Sequence, residues 1–250
     1  MKSRLLFLIL AVLFAAACER QPKKLSAEEY EKYEEYCTLA EEAYDNKFYE
    51  LAIEYYQKAL AINPNTNDVI VYLSMGLAYY FQDNYSQAIT CFQKIIAINP
   101  NAARVYGCMG ECYSNQGNYS QAIICYQKAL AIDPNYAVAY FCMGIAYAEQ
   151  GNYSQAITCY QKALAINPNL ASAYNNMGKA YERQGNYSQA ITCFQKTITI
   201  DPNYAAAYYN MGVAYGEQGN HSQVITCYQK AARLGLSNAQ TWLRNNGYTW

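Results

Sequence analysis

Three cysteines stand close enough in the chain to suggest a soft-metal or redox centre. Cys108 and Cys112 are four residues apart, and Cys142 repeats the place of Cys108 34 residues later. Residues i and i+4 share one face of a helix, so the first two thiols could converge on an ion. The spacing lacks the paired Cys-x-x-Cys of strong zinc sites. Five more cysteines, Cys91, Cys125, Cys159, Cys193 and Cys227, return at one fixed place in a recurring string. Such regularity reads as packing, because a free thiol behaves as a small apolar residue. Equivalent residues on helices roughly 8–10 Å apart also lie beyond disulfide reach. His221 is the single histidine. Without a second one, neither a His-based catalytic pair nor a three-histidine metal site can be assembled, and no glycine-rich phosphate loop occurs. Asn84, Asn118, Asn152, Asn186 and Asn220 each begin an Asn-x-Ser string, formally a glycosylation acceptor. Each also stands where a helix would start, and an Asn there accepts from an amide of the first turn. They are expected to be caps. No catalytic residue, metal or cofactor is expected.

The elements that hold these residues follow from a period. Pro64, Pro100, Pro134, Pro168 and Pro202 are separated by 36, 34, 34 and 34 residues. A fixed period of this size signals stacked repeats. Within one unit, Tyr140, Met143, Gly144 and Tyr147 fall at helical spacing. Gly151 then suits a left-handed helix end, Ala156, Tyr160 and Ala163 mark one face of a second helix, and Pro168 stops it. Asn169 is expected to cap the helix that follows. Large residues at Tyr140, Met143, Tyr147 and Tyr160 against small ones at Gly144, Ala156 and Ala163 allow close helix pairing. The same pattern recurs as Tyr106, Met109, Gly110, Tyr113, Ala122, Tyr126, Ala129 and Pro134, and as Tyr174, Met177, Gly178, Tyr181, Ala190, Phe194 and Pro202. This spacing resembles the tetratricopeptide repeat (TPR), over most of the chain. The resemblance implies an all-α fold, a right-handed α-solenoid of helix-turn-helix repeats. Six repeats are expected, at about 33–66 (degenerate), 69–102, 103–136, 137–170, 171–204 and 205–236, within a domain spanning 26–236. Ser26 and Glu29 form a capping box at its start, and the first turn reads one residue shorter than the others. Residues 237–250 are expected to supply a capping helix and tail, with Ser237 as N-cap, Trp242 and Leu243 covering the exposed end, and Gly247 as terminator.

The other end has a different character. Lys2 and Arg4 precede an unbroken apolar run from Leu5 to Ala17, too short for a spanning helix and suited to a signal peptide. Ala15-Ala16-Ala17-Cys18 resembles the lipobox of bacterial lipoproteins, with Ala15 in place of the usual leucine. The resemblance implies cleavage after residue 17, lipidation of Cys18 with acyl chains such as palmitate, and a tether over 18–25. Two or more acyl chains anchor a protein stably to a membrane without crossing it. An exported protein facing the periplasm is expected, with Glu19 mildly favouring the outer membrane. The chain beyond residue 17 carries 16 basic and 19 acidic side chains. A balance so near neutral leaves no electrostatic footprint for nucleic acid.

Function is expected at the residues where the repeats disagree. In TPR proteins the first helix of each repeat lines a concave groove at its second, fifth, ninth, twelfth and thirteenth positions. Carried onto this chain, the second repeat offers Ile70, Leu73, Leu77, Tyr80 and Phe81, and the third Arg104, Glu111, Ser114 and Asn115. The fourth offers Val138, Phe141, Ile145 and Glu149, the fifth Asn175, Lys179, Glu182 and Arg183, and the sixth Tyr209, Val213 and Glu217. Asn176 and Asn210 match the family's asparagine at the sixth position. Lys179 and Asn175 reverse the Lys and Asn of the two-carboxylate clamp, so a chaperone-type clamp is not expected. The resemblance implies a non-enzymatic protein–protein interaction scaffold, a membrane-anchored lipoprotein holding a peptide or helix of an envelope protein. The alternative is a small-ligand-binding accessory of a transport system. A homo-oligomer is compatible with either. The apolar character of Leu73, Leu77, Phe141 and Ile145 marks the second to fourth repeats as the contact surface. Leu77→Glu with Ile145→Glu is accordingly expected to abolish capture without unfolding the chain.

Overall fold

The computed structural model describes residues 25–64 and 66–250. Among them there are thirteen helices and no strand. They form helix pairs: α1 (Ala27–Asp45) with α2 (Tyr49–Ile62), α3 (Val69–Phe81) with α4 (Tyr85–Ile98), and α5 (Ala103–Asn115) with α6 (Tyr119–Ile132). Next come α7 (Ala137–Glu149) with α8 (Tyr153–Ile166), α9 (Ala171–Arg183) with α10 (Tyr187–Ile200), α11 (Ala205–Glu217) with α12 (His221–Arg233), and a last helix, α13 (Ser237–Asn245). The chain divides into two compact units, one ending at Asp133 and one running from Pro134 to Trp250. The signal-peptide segment, Cys18 and nearly all of the tether lie outside the described residues.

In every pair after the first, the closeness of the helices comes from a glycine on the first helix and a ring on the second. A Cβ added to Gly110, Gly144, Gly178 or Gly212 would sit 2.6 Å from a ring carbon of Tyr126, Tyr160, Phe194 or Tyr228 respectively. The five buried thiols of the recurring string and alanines such as Ala122, Ala156 and Ala190 fill the remaining space between helices. Neighbouring pairs are joined by a second device that gives the serine of each Asn-x-Ser string a role. Gln184 Nε2 donates to Ser154 Oγ at 2.9 Å, and Gln116 and Gln218 repeat the bond to Ser86 and Ser188 at 3.0 Å. Each bond links the turn of one pair to the start of the second helix in the pair before.

The local signals are met with four exceptions. The capping box forms, with Glu29 N donating to Ser26 Oγ at 3.2 Å and Ser26 N to Glu29 Oε2 at 2.8 Å. All five sequon asparagines occupy N-cap positions, but only Asn84, Asn118 and Asn220 accept a side-chain bond from the first turn; Asn152 and Asn186 do not. Asn169 is not the cap of α9, which begins after Leu170. The turn is instead closed by the residue before the proline: Asn167 Oδ1 accepts from Asn169 N at 3.2 Å, and Asn99 and Asp201 do the same for Asn101 and Asn203. Proline has no amide to offer, so the acceptor reaches to the next residue. Ser237 opens α13 without capping it.

The first turn is also not shorter than the rest. Lys47 holds the left-handed conformation there, at φ 64°, as Gly151 does at φ 77°. Both follow their helix by the same number of residues. What differs is register along α1: Tyr44 stands one residue nearer the turn than Tyr147, and Ala40 takes the place of the helix-pairing glycine. Displaced this way, Tyr44 packs with Tyr49 and Phe81, ring centroids 5.6 and 6.4 Å away. At the other end, Leu243 is fully buried and Trp242 meets Tyr228 edge-on at 4.7 Å, while Gly247 breaks the helix at φ 78°.

Candidate interaction surface

The first helices, α3 and α5 in unit 1 and α7, α9 and α11 in unit 2, carry the residues that differ between repeats. Unit 1 uses most of its set for its own packing. Leu73 and Leu77 are each 3% exposed and belong to one apolar cluster with Tyr33, Cys37 and Ala40 of α1. Tyr80 is buried too; its hydroxyl donates to Glu111 Oε1 at 2.7 Å and accepts from Asn115 Nδ2 at 3.3 Å. Phe81 stacks on Tyr49 at 4.8 Å. Ile70 and Arg104 are half-buried. The apolar character that marks Leu73 and Leu77 for a groove in the sequence is therefore core character. A glutamate at Leu77 would unfold unit 1, so the expectation that Leu77→Glu spares the fold is corrected.

Unit 2 leaves its set reachable. Val138, Phe141, Ile145, Tyr209 and Val213 are half-buried and Lys179 is exposed. Phe141 tilts against Tyr160 at 6.0 Å, and Tyr209 stacks on Tyr228 at 4.9 Å. Between these apolar flanks runs a chain of amides. Asn210 Nδ2 donates to Asn175 Oδ1 at 3.2 Å, and Asn175 Nδ2 reaches Asn176 Oδ1 at 3.5 Å. Asn175, only 5% exposed, thus ties α9 to α11 and is not a contact residue itself. An asparagine amide offers two donors and two acceptor sites. Among the described residues Asn176 Nδ2 and Asn210 Oδ1 remain unclaimed, a donor and an acceptor on two half-buried residues of adjacent helices.

Beside the amides lies a recess of about 540 Å³. Ile145, Ala148 and Ala180 give it an apolar side; Asn176, Lys179, Arg183 and Glu149 give it a polar one; Tyr160 and Tyr153 complete it. Burial, and then Glu217, raises the carboxyl of Glu182 above its ordinary value, against the pull of Arg183 and Lys179. Tyr187 donates to Glu217 at 3.4 Å on the same side. Sequence reasoning brought Ile145, Asn176, Lys179 and Arg183 to this face but missed Tyr160, which it read as core. The available signal was small: this constant aromatic place alternates between Tyr56, Tyr126, Tyr160 and Tyr228 and the hydroxyl-free Phe92 and Phe194.

The thiols form no centre. Cys108 is pushed up to about 12 by burial first, then by Glu111, and Cys112 is raised by burial and by Cys108. Both stay protonated at neutral pH. Among the described residues no group of three or more His, Cys, Asp or Glu is placed to hold a metal ion. No described helix is long and apolar enough to cross a membrane.

Comparison with known proteins agrees with this architecture. Models of the tetratricopeptide repeat match residues 33–66, 69–102, 91–124 and 205–234, and a further TPR repeat model matches 113–151, 146–185 and 183–219. No curated protein sequence matches the chain. Among solved structures, MamA aligns at 28% identity and TM-score 0.62, over 66% of this chain and 97% of that one. A tetratricopeptide repeat protein from Parabacteroides merdae aligns at 18% identity and TM-score 0.73, over 82% of this chain and 81% of the other. YrrB, described as a TPR protein with an unusual peptide-binding site, aligns at 23% identity and TM-score 0.59, over 72% and 92%. At the last two identities the likeness concerns the fold alone.

Proposed function

Since the chain belongs to the tetratricopeptide repeat family, a family of protein–protein interaction scaffolds typically without catalytic activity, we propose that it holds an extended peptide of an envelope protein along α7, α9 and α11. The observation that carries this is the amide chain through Asn175. It leaves one donor and one acceptor without a partner among the described residues, on half-buried asparagines flanked by half-buried apolar side chains, the complement of a peptide unit whose N–H and C=O are unpaired. A helical ligand has already satisfied those groups internally, so an extended segment suits the face better. Phe141 and Ile145 on one flank, and Tyr209 and Val213 on the other, would receive its alternate side chains.

The lipobox-like Ala15-Ala16-Ala17-Cys18 supports a lipid anchor at Cys18, which would place the scaffold on a membrane facing the periplasm, the outer membrane by preference. The test is photo-crosslinking from Ile145 in native envelopes, followed by mass spectrometry. One partner should be captured by the wild type and lost with Asn210→Asp, which replaces the Nδ2 that donates to Asn175 by a charged acceptor and so breaks the amide chain. Retained capture by a folded Asn210→Asp chain removes the amide reading. Metabolic labelling with palmitate should mark the wild type and not Cys18→Ala; equal labelling removes the anchor. A second reading, the small-ligand accessory of a transport system, is favoured by one observation, the recess volume of about 540 Å³.

A further inference from the structure

The first helix pair departs from the later repeats at four exposed places. Phe48 stands where every later pair has its N-cap asparagine, and Leu51 where they have glutamine. Phe48 is 64% exposed, Leu51 41%, and Phe48 makes no side-chain cap bond to α2. Glu35 and Glu42 of α1 stand where later repeats bury small residues. Ala173 and Ala180, at those places in α9, cluster with Ile157 and Leu164 of the pair before. Acidic side chains there suit an end of the array that has only to be wetted, and such an end is polar. Phe48 and Leu51 are not. They give up a cap and a polar contact with water for apolar surface that joins no core. They line one shallow recess of about 540 Å³ with Glu50 and Glu54, next to a helix of eight acidic residues and one basic. Apolar side chains set together among acids mark a surface that a partner covers.

The complement of that surface is in the chain itself. Residues 218–250 hold Lys230, Arg233 and Arg244 and no acidic side chain. Tyr248 and Trp250 are each 40% exposed and line a recess of about 400 Å³ with Arg244. Beyond α1, the other exposed large apolar residues are Ile124, Ile132 and Ile166, scattered on second helices. The charge of the two units follows the same division: residues 25–133 hold six basic and fourteen acidic side chains, residues 134–250 seven and four. We propose that the chain associates with a second copy of itself, the Tyr248 and Trp250 rings of one copy lying on Phe48 and Leu51 of the next, with Arg244 against Glu50. The contact joins two different patches and is therefore heterologous. Opposite charge steers the two patches together and keeps like patches apart. The proposal draws nothing from the peptide reading of α7, α9 and α11, and the two stand or fall separately.

The experiment is sedimentation velocity on the full chain in nonionic detergent, over a concentration series. Wild type should associate as concentration rises, and less so at 1 M salt, where screening shortens to about 3 Å from about 10 Å at 0.1 M. Phe48→Asn with Leu51→Gln installs the residues of the other repeats, so the fold is spared, and should weaken association about tenfold or more. Glu50→Lys with Glu54→Lys, and separately Arg244→Glu, should each give a monomer with unchanged circular dichroism. An equimolar mixture of those two variants should associate again, because each supplies the charge that the other's patch now lacks. A wild type that is monomeric throughout overturns the proposal. So does association that Phe48→Asn with Leu51→Gln leaves unchanged, or a mixture that does not recover. A monomer that floats with phosphatidylcholine vesicles, and does so less with Phe48→Asn and Leu51→Gln, gives the patch to a membrane and overturns the second copy.

Discussion

At the scale of single residues, the tightest constraint is the glycine that lets two helices meet. A methyl group at Gly178 would lie 2.6 Å from a ring carbon of Phe194, which is itself fully buried and cannot retreat. Overpacking of this kind costs about 1–3 kcal/mol. Gly178→Ala should therefore lower the urea midpoint clearly, although alanine is the better helix former; an unchanged midpoint would show that the pairing has slack. The thiols give a second prediction at this scale. Cys159, Cys193 and Cys227 are buried and pushed up to about 11 by that burial, while Cys142 is only half-buried. The thiolate is the reactive form, so iodoacetamide on the native chain should alkylate Cys142 well before those three, read by peptide mapping. Rapid modification of all four would mean that the helices open readily. Glycine and cysteine were legible because each sits at one repeat position, where packing alone fixes the type. Tyr160 was not, since it is a core residue that also lines the recess, and spacing alone marks it only as core.

At the scale of elements, the turns and first helices carry the differences between repeats. Lys47 pays a steric cost for its left-handed backbone that glycine avoids, of about 1–2 kcal/mol, part of which a glycine returns as unfolded-state entropy. Lys47→Gly should raise stability by about 0.5–1 kcal/mol. Asp83, at φ 58°, is a sharper case because its carboxylate accepts from the Tyr85 hydroxyl at 2.6 Å. Asp83→Gly loses that bond along with the strain, so its effect should be smaller than that of Lys47→Gly; the order of the two urea midpoints checks this. Leu77→Glu belongs here as well, because it inserts a carboxylate into the cluster that joins α1 to α3. Loss of about 4 kcal/mol or more is expected, seen as lost helicity in unit 1, where a surface leucine would have cost little. Helix positions were legible because periodicity repeats six times. Which apolar residue faces a groove and which faces the core was not, since both readings ask for leucine at the same spacing, and only the direct approach of α1 to α3 decides between them.

At the scale of the whole molecule, the many buried thiols link folding to alkaline pH. Cys37, Cys91 and Cys108 are pushed up to about 12 and Cys159, Cys193 and Cys227 to about 11, in each case by burial first. An unfolded thiol titrates near 9.0. Below that value both states hold the proton and the thiols leave stability unaffected. Above it the unfolded chain releases protons that the folded chain keeps, so stability falls as pH rises, until the folded thiols ionise in turn at about 11 to 12. Each thiol removes at most about 1.4 kcal/mol per pH unit within that window. Six acting together make the slope steep, and they are spread over both units. Under reducing conditions the urea midpoint should hold steady from pH 7 to 8.5 and then drop sharply by pH 10.5. Replacing Cys159 and Cys193 by alanine should flatten that drop while lowering the midpoint at pH 7 through the volume lost. A midpoint that stays level to pH 10.5 would mean the thiols reach solvent in the folded chain, and with it the tight pairing of helices would have to be given up.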